Sequence, residues 1–393
     1  MYKPDEIIVM KDIKEEPVTR RILQECSDIP VRYVQSNQSG EIRSASHLLS
    51  GIKDLRRRIA TGKRILALVS TTDAIGTFQM PDPRMGCPEF PKLVLVSNGC
   101  PYRCEWCFLK GTYRGVFPFM AVRVRYDEIK QRIRNTVCRP SKPIMFNNGE
   151  LRDSLALEHL THAAESFIPF FGELPNAYLF MLTKSANIEP ILDLAHNGHT
   201  IIAWSMNAPE VSQEFEVGAP PFERRLEAAR RVQAAGYPVR IRLDPIVPLG
   251  DWKRRYARTI RRIFERTTPD RITLGTLRFE EASVRNRHSY IPPESCLLRE
   301  MEKMQPMLEP MQIPTGKKDK NGQMKMKTSV GKVSYSEELR VKVFRFVISE
   351  IRRHFDGPLA LCKETETVWR SVGLDPACCE CVCQYDHAGL FTA

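Results

Sequence analysis

The sequence has no apolar run approaching the roughly twenty residues that cross a bilayer, so no transmembrane helix is expected. It opens without the basic-then-apolar leader of an exported chain, so its thiols are expected in a reducing, cytoplasmic compartment, without disulfides. A third absence follows Cys107: no Cys or His appears for roughly twenty residues, so the second ligand pair of an ordinary zinc site is missing there.

What is present suffices for a large core plus a smaller appendage: 393 residues, 42% hydrophobic and 27% charged, as in an ordinary soluble globular protein. Lys and Arg number 59 against 47 Asp and Glu, and the net charge of +12 favours a polyanionic partner without requiring one.

The stretch around which the chain is organised is Cys100-Pro-Tyr-Arg-Cys104-Glu-Trp-Cys107, which follows the apolar run Leu93–Val96 and the turn residues Ser97-Asn98-Gly99. Three thiolates at C-x3-C-x2-C spacing can each face a different iron of a cubane 4Fe–4S cluster. The fourth iron stays open, free to chelate the amino and carboxylate groups of a cosubstrate.

With Trp106 and Phe108 around the last cysteine, this motif resembles the signature of radical S-adenosylmethionine (SAM) enzymes. Over most of its length the chain resembles the spore photoproduct lyase family. The matching stretches are Ser97-Asn-Gly-Cys100, Asp153-Ser-Leu with Glu158-His-Leu-Thr-His162, Leu182-Thr-Lys184, His196-Asn-Gly198, Ser205-Met-Asn207, Ala228-Ala229 with Ala235-Gly-Tyr-Pro238, Pro245-Ile246 and Lys332-Val-Ser-Tyr335. Singly they are weak; in this order and spacing they are specific.

The regular part of the chain predicts strands at Leu93–Val96, Pro143–Phe146, Tyr178–Leu182, Ile201–Ser205, Val239–Leu243 and Ile272–Thr276. Helices are expected between them, at 127–138, 154–171, 188–196, 222–235 and 253–266. This is an α/β pattern, a partial (β/α)6 TIM-type barrel, with chemistry at the strand C-terminal ends. Residues 1–90 read as a small N-terminal α/β element, with strands at Glu6–Met10, Val31–Val34 and Ile65–Val69 and a helix over Ala45–Ile59 capped by Ser44 or Ser46. The barrel takes 91–282. Residues 283–393 form a C-terminal extension over the substrate, with a Lys-rich hairpin signal at Asn321-Gly322, a long helix at Glu337–Phe355 and a cysteine-rich tail. The stripe Phe222, Leu226, Ala229, Val232 and Ala235 reads as scaffold, and the basic residues from Lys253 to Arg262 as a solvated face.

The resemblance implies that Cys100, Cys104 and Cys107 hold the 4Fe–4S cluster. Gly149-Glu150, in Asn148-Gly149-Glu150, then receives the methionine ammonium of SAM, for which a carboxylate is the natural acceptor. Lys184 and Ser205 match SAM-binding positions, Asn207 a further one, and Trp106 with Phe108 flanks the cluster and adenine region. An electron donor such as flavodoxin or ferredoxin is also implied.

Two departures from the family stand out. Met145–Asp153 contains no cysteine where the lyase carries its hydrogen donor, and neither Trp106 nor Phe108 has the phenolic hydrogen of the lyase's cluster-flanking tyrosines. The tail adds Cys362, Cys378, Cys379, Cys381 and Cys383. Cys362, Cys379, Cys381 and Cys383 are candidate ligands for an auxiliary iron–sulfur cluster or a zinc ion. The leading expectation is a radical SAM enzyme acting on a thymine-derived base in DNA, by lesion repair or base tailoring. The alternatives are radical modification of a peptide or small metabolite, and a non-catalytic metal-containing protein that binds nucleic acid.

Overall fold

Strands built from unbroken apolar runs need cover on both faces. The strand Thr200–Met206 is buried at every position, and Ala177–Thr183 at all but Leu182. A computed structural model describes residues 1–35, 49–78, 80, 82–86, 90–93, 99–110, 119–137 and 143–376.

The chain begins with β1 (Glu6–Met10), α1 (Pro17–Glu25), β2 (Val31–Val34), α2 (Leu55–Gly62) and β3 (Ile65–Val69). Next come β4 (Ile75–Phe78), β5 (Phe90–Leu93), β6 (Met120–Arg123) and α3 (Tyr126–Val137). The repeating part runs β7 (Ile144–Asn147), α4 (Glu158–Thr161), α5 (Ala163–Gly172), β8 (Ala177–Thr183), β9 (Thr200–Met206), α6 (Pro209–Phe215), α7 (Phe222–Ala234), β10 (Val239–Ile246), α8 (Trp252–Arg266) and β11 (Arg271–Thr276). Then follow β12 (Arg278–Phe279), α9 (Glu281–Arg285), α10 (Leu297–Glu302), β13 (Gln305–Pro306), β14 (Met311–Lys318), β15 (Met324–Ser329), β16 (Val333–Ser334), α11 (Glu337–Ile351), β17 (Leu359–Leu361) and α12 (Glu366–Ser371).

The main sheet has the order β17-β11-β10-β9-β8-β7-β5-β4. Every pairing from β5 to β17 is parallel, and β4 lies antiparallel on β5. The six expected strands therefore stand in one row, an open partial barrel with helices outside, although residues 94–96 of the first lie outside the described part. Strand pairing runs across the expected boundaries at 90 and 282. The strand β4 joins the main sheet, while β6 leaves it for the parallel N-terminal sheet β2-β1-β3-β6, and β17 returns from the C-terminal region to pair with β11. A strand only three or four residues long carries too little pattern to reveal its partner.

The helices differ from expectation where side chains intervene. Asp54 accepts a hydrogen bond from the Arg57 backbone N–H at 2.8 Å, so α2 begins at Leu55; residues 45–48 lie outside the described part. One helix over 154–171 becomes α4 and α5, divided at His162 with φ 48°, and 188–196 holds only a 3-10 turn at Glu189–Ile191. The α7 stripe is buried as expected, with Ala235 partly so, and on α8 Arg258 pairs with Glu210, Arg262 with Glu223 and Arg254 with Asp251 on a solvated face. The Lys-rich segment is the exposed hairpin β14–β15, its turn closed by Asp319 accepting from the N–H groups of Asn321 (2.8 Å) and Gln323 (2.9 Å). No described helix is long and apolar enough to cross a membrane.

Candidate active site

A cavity of about 500 Å³ opens at the C-terminal ends of the parallel strands. Cys100, Cys104 and Cys107 line it together with Trp106 and Phe108, Gly149 and Glu150 after β7, Lys184 after β8 and Ser205 in β9. The cysteine loop is pinned from two sides. Arg103 and Glu105 donate backbone N–H groups to the carbonyls of Val217 and Phe215 at 2.8 Å each, and Lys63 from the N-terminal sheet region donates to the Tyr102 carbonyl. Trp106 packs on Phe215 with ring centroids 5.1 Å apart, while Phe108 remains 53% exposed at the mouth.

Burial pushes the Cys100 thiol up and the Cys104 thiol up to about 12, with Lys184 opposing the shift at Cys104. Such thiols keep their protons until a cation replaces them. No three His, Cys, Asp or Glu side chains among the described residues converge on one metal-ion position. Three cysteines of one short loop lining the same cavity are a donor set for a cubane, in which each binds a different iron. The donor set and the cavity therefore fit a 4Fe–4S cluster.

Close packing fixes the loop that carries Gly149 and Glu150. A Cβ on Gly149 would lie 2.3 Å from Leu182 Cβ, so only glycine allows this approach, and Asn147 Oδ1 accepts from the Gly149 N–H at 2.9 Å. Asp153, without an assigned role in the sequence reading, joins two strand ends. Its Oδ1 accepts from Thr183 Oγ1 (2.7 Å), Leu155 N (3.1 Å) and Ala156 N (3.0 Å), and its Oδ2 from Lys184 N (2.6 Å). Lys184 Nζ lies 3.7 Å from Glu216 Oε1. Burial works against its charge, but Glu216 and the Cys104 thiol more than compensate, and the ammonium is held above its ordinary range. Glu216 in turn is gripped by Arg225 at 2.6 Å, and Arg225 also donates to the Ser205 carbonyl at 3.1 Å. The scaffold helix α7 thus carries one side chain that braces the site.

Asn207 is a correction. It does not line the cavity: its Nδ2 donates to the Pro245 carbonyl at 2.8 Å and its Oδ1 accepts from Tyr256 Oη at 2.7 Å. Trp106 and Phe108 bring no phenol, but Tyr102, within the motif itself and without an assigned role in the sequence reading, lines the cavity and hydrogen-bonds to the Ser185 side chain.

The far strands add a cluster around Asp244, whose position at a strand C-terminal end the sequence indicates but whose arginine partners sequence reasoning missed. Arg278 holds Asp244 with two bonds of 2.9 Å, and Arg242 adds a third at 2.9 Å. Burial would raise the Asp244 carboxyl, but the two guanidinium groups overwhelm it and hold the group well below the usual range. A Cβ at Gly275 would fall 2.5 Å from Asp244 Oδ1. Cys362 follows β17, buried, its Sγ accepting from Arg242 Nη2 at 2.6 Å; Cys378, Cys379, Cys381 and Cys383 lie outside the described residues.

A three-cysteine loop at the mouth of an open parallel barrel, facing carboxylate and ammonium groups on neighbouring strand ends, defines a radical SAM enzyme. The chain belongs to the spore photoproduct lyase family, whose model matches residues 2–355. A spore photoproduct lyase of Clostridium acetobutylicum is 25% identical over 261 residues, 65% of this chain and 72% of that protein. The Bacillus subtilis enzyme is 32% identical over 180 residues, 46% of this chain and 51% of its own length. A solved spore photoproduct lyase complexed with dinucleoside spore photoproduct shares the fold, with TM-score 0.71 and 22% identity over 92% of this chain and 98% of that one.

Proposed function

We propose that this enzyme acts on a thymine-derived lesion in DNA, the chemistry named for its relatives. The reading is carried by the family match over residues 2–355 together with the cavity that gathers the cysteines, Glu150 and Lys184. When bound, the cluster and SAM together supply a 5′-deoxyadenosyl radical that abstracts a hydrogen atom from the substrate.

The chain's own residues bind, orient and shield. Glu150 accepts the methionine ammonium, Lys184 pairs with an oxygen of SAM, and Trp106 covers the cofactor from water. Ser205 contributes a hydroxyl from β9. The exposed Lys318, Lys320, Lys325 and Lys327 of the hairpin face solvent, where a phosphate backbone would meet them. A small reducing protein such as flavodoxin or ferredoxin supplies the electron. One cluster, at Cys100, Cys104 and Cys107, is assigned here. About four irons per chain are therefore expected, and about eight would assign the tail a second cluster.

Anaerobic reconstitution with SAM, dithionite and UV-irradiated DNA, followed by mass analysis of nucleosides, tests the reading. Lesion loss that disappears in Cys100→Ala is expected. Formation of 5′-deoxyadenosine with no lesion consumed would contradict it.

A further inference from the structure

Two lysines in the cavity have no part in holding the cluster or SAM. Lys363 follows β17 with φ 51°, a left-handed backbone that a residue with a β-carbon adopts only at a cost, and such strain gathers where a side chain must be aimed. Its Nζ lies 4.9 Å from the Phe78 ring and 3.9 Å from Glu150 Oε2, and it makes no hydrogen bond among the described residues. Lys332 precedes β16, is largely buried, and pairs with the half-exposed Glu280. Both line the same cavity.

Charge at this place is arranged for more than internal pairing. Six cationic side chains and four carboxylates line the cavity among the described residues. Asp244 is consumed by Arg242 and Arg278, and Asp153 by the backbone it ties together. Glu280 pairs with Lys332, which leaves Glu150 facing Lys363 while also being the natural seat of the SAM ammonium. Before SAM arrives, the Glu150 carboxylate offsets Lys363 and repels any anion brought to it. Once a cofactor ammonium takes Glu150, that repulsion is cancelled in a partly desolvated site, and Lys363 presents uncompensated charge beside Lys332, whose own partner is the exposed Glu280.

We propose that Lys332 and Lys363 form a subsite for a phosphate oxygen of a nucleic-acid strand, and that this subsite gains affinity when SAM occupies Glu150. The inference rests on the SAM placement proposed above. Because binding linkage is reciprocal, phosphate at the subsite tightens SAM by the same factor. Cofactor and lesion are then captured together, and the radical is generated only with a target present.

The test is equilibrium binding to the reconstituted full-length protein, using thymidylyl-(3′,5′)-thymidine, its neutral methylphosphonate analogue and thymidine 5′-monophosphate, each with and without SAM. In the wild type, SAM is expected to tighten the dinucleoside phosphate about tenfold and to leave the neutral analogue unchanged. Lys363→Met should lose that gain without weakening SAM itself, because its competitor for Glu150 is gone, whereas Lys363→Arg should keep it. An undiminished gain in Lys363→Met, or an equal gain for the neutral analogue, would overturn the subsite. A gain confined to the monophosphate would overturn the strand as its source. Failure of the wild type to bind SAM would instead overturn the cofactor reading, and the coupling with it.

Discussion

Asp153 Oδ2 accepts the backbone N–H of Lys184 at 2.6 Å, tying the loop after β7 to the end of β8. The same carboxylate takes three further donors through Oδ1, so the two stretches that bring Glu150 and Lys184 to the cavity are held as one unit. In Asp153→Asn an amide N–H must point at donors. A loss of about 2–3 kcal/mol in chemical denaturation is expected, with SAM affinity falling about tenfold by calorimetry. Unchanged affinity would mean that the loop is held by other contacts.

Gly149→Ala tests the close approach to Leu182. The added methyl cannot fit at 2.3 Å without moving the loop that carries Glu150. Stability should fall by about 1–3 kcal/mol and SAM binding should weaken with it, while cluster iron content, set by the separate cysteine loop, stays at the wild-type value.

Arg225 and Glu216 are both almost wholly buried. Arg225→Met leaves the buried carboxylate without its guanidinium, with only the Ser212 hydroxyl at 2.8 Å and Lys184 at 3.7 Å, and a loss of about 3–5 kcal/mol is expected in thermal or urea unfolding. Adding Glu216→Gln to the same chain should recover part of that loss. A double variant no better than the single one would show that the charge on Glu216 is not the cause.

Glu158 gives a pH dependence. Burial pushes its carboxyl from an ordinary 4.5 up to about 7, although it accepts the N–H of Ala164 at 2.8 Å. The folded state therefore holds a proton that the unfolded chain has released between these values, so this group's contribution falls as pH rises from about 4.5 to about 7 and is flat above. The loss amounts to about 3 kcal/mol. Glu158→Gln should be more stable than wild type at pH 8 and nearly equal to it at pH 5, measured by denaturant midpoint.

Much of the site was legible because it is local. The cysteine spacing spans eight residues, and Gly149-Glu150, Lys184 and Ser205 follow or end apolar runs that declare themselves as strands. What stayed hidden depends on contacts between distant residues. Arg278 meets Asp244 across 34 positions, and Arg242 meets Cys362 across 120. Arg225 sits in an ordinary amphipathic helix, where no periodicity distinguishes a buried guanidinium. Lys363 went unremarked because the three-residue β17 is too short to be seen as part of the barrel. Tyr102 was in view within the motif, but its direction depends on the loop's shape.

The central claim is that a radical made beside Cys100, Cys104 and Cys107 draws hydrogen from a thymine lesion. It is tested most directly by incubating the reconstituted enzyme, SAM and reductant with lesion-containing DNA deuterated on its thymine-derived residues, then measuring label in 5′-deoxyadenosine and recovered SAM. The account predicts deuterium in one or both, together with reappearance of intact thymidine. Abundant 5′-deoxyadenosine carrying no deuterium, with the lesion untouched, would contradict it.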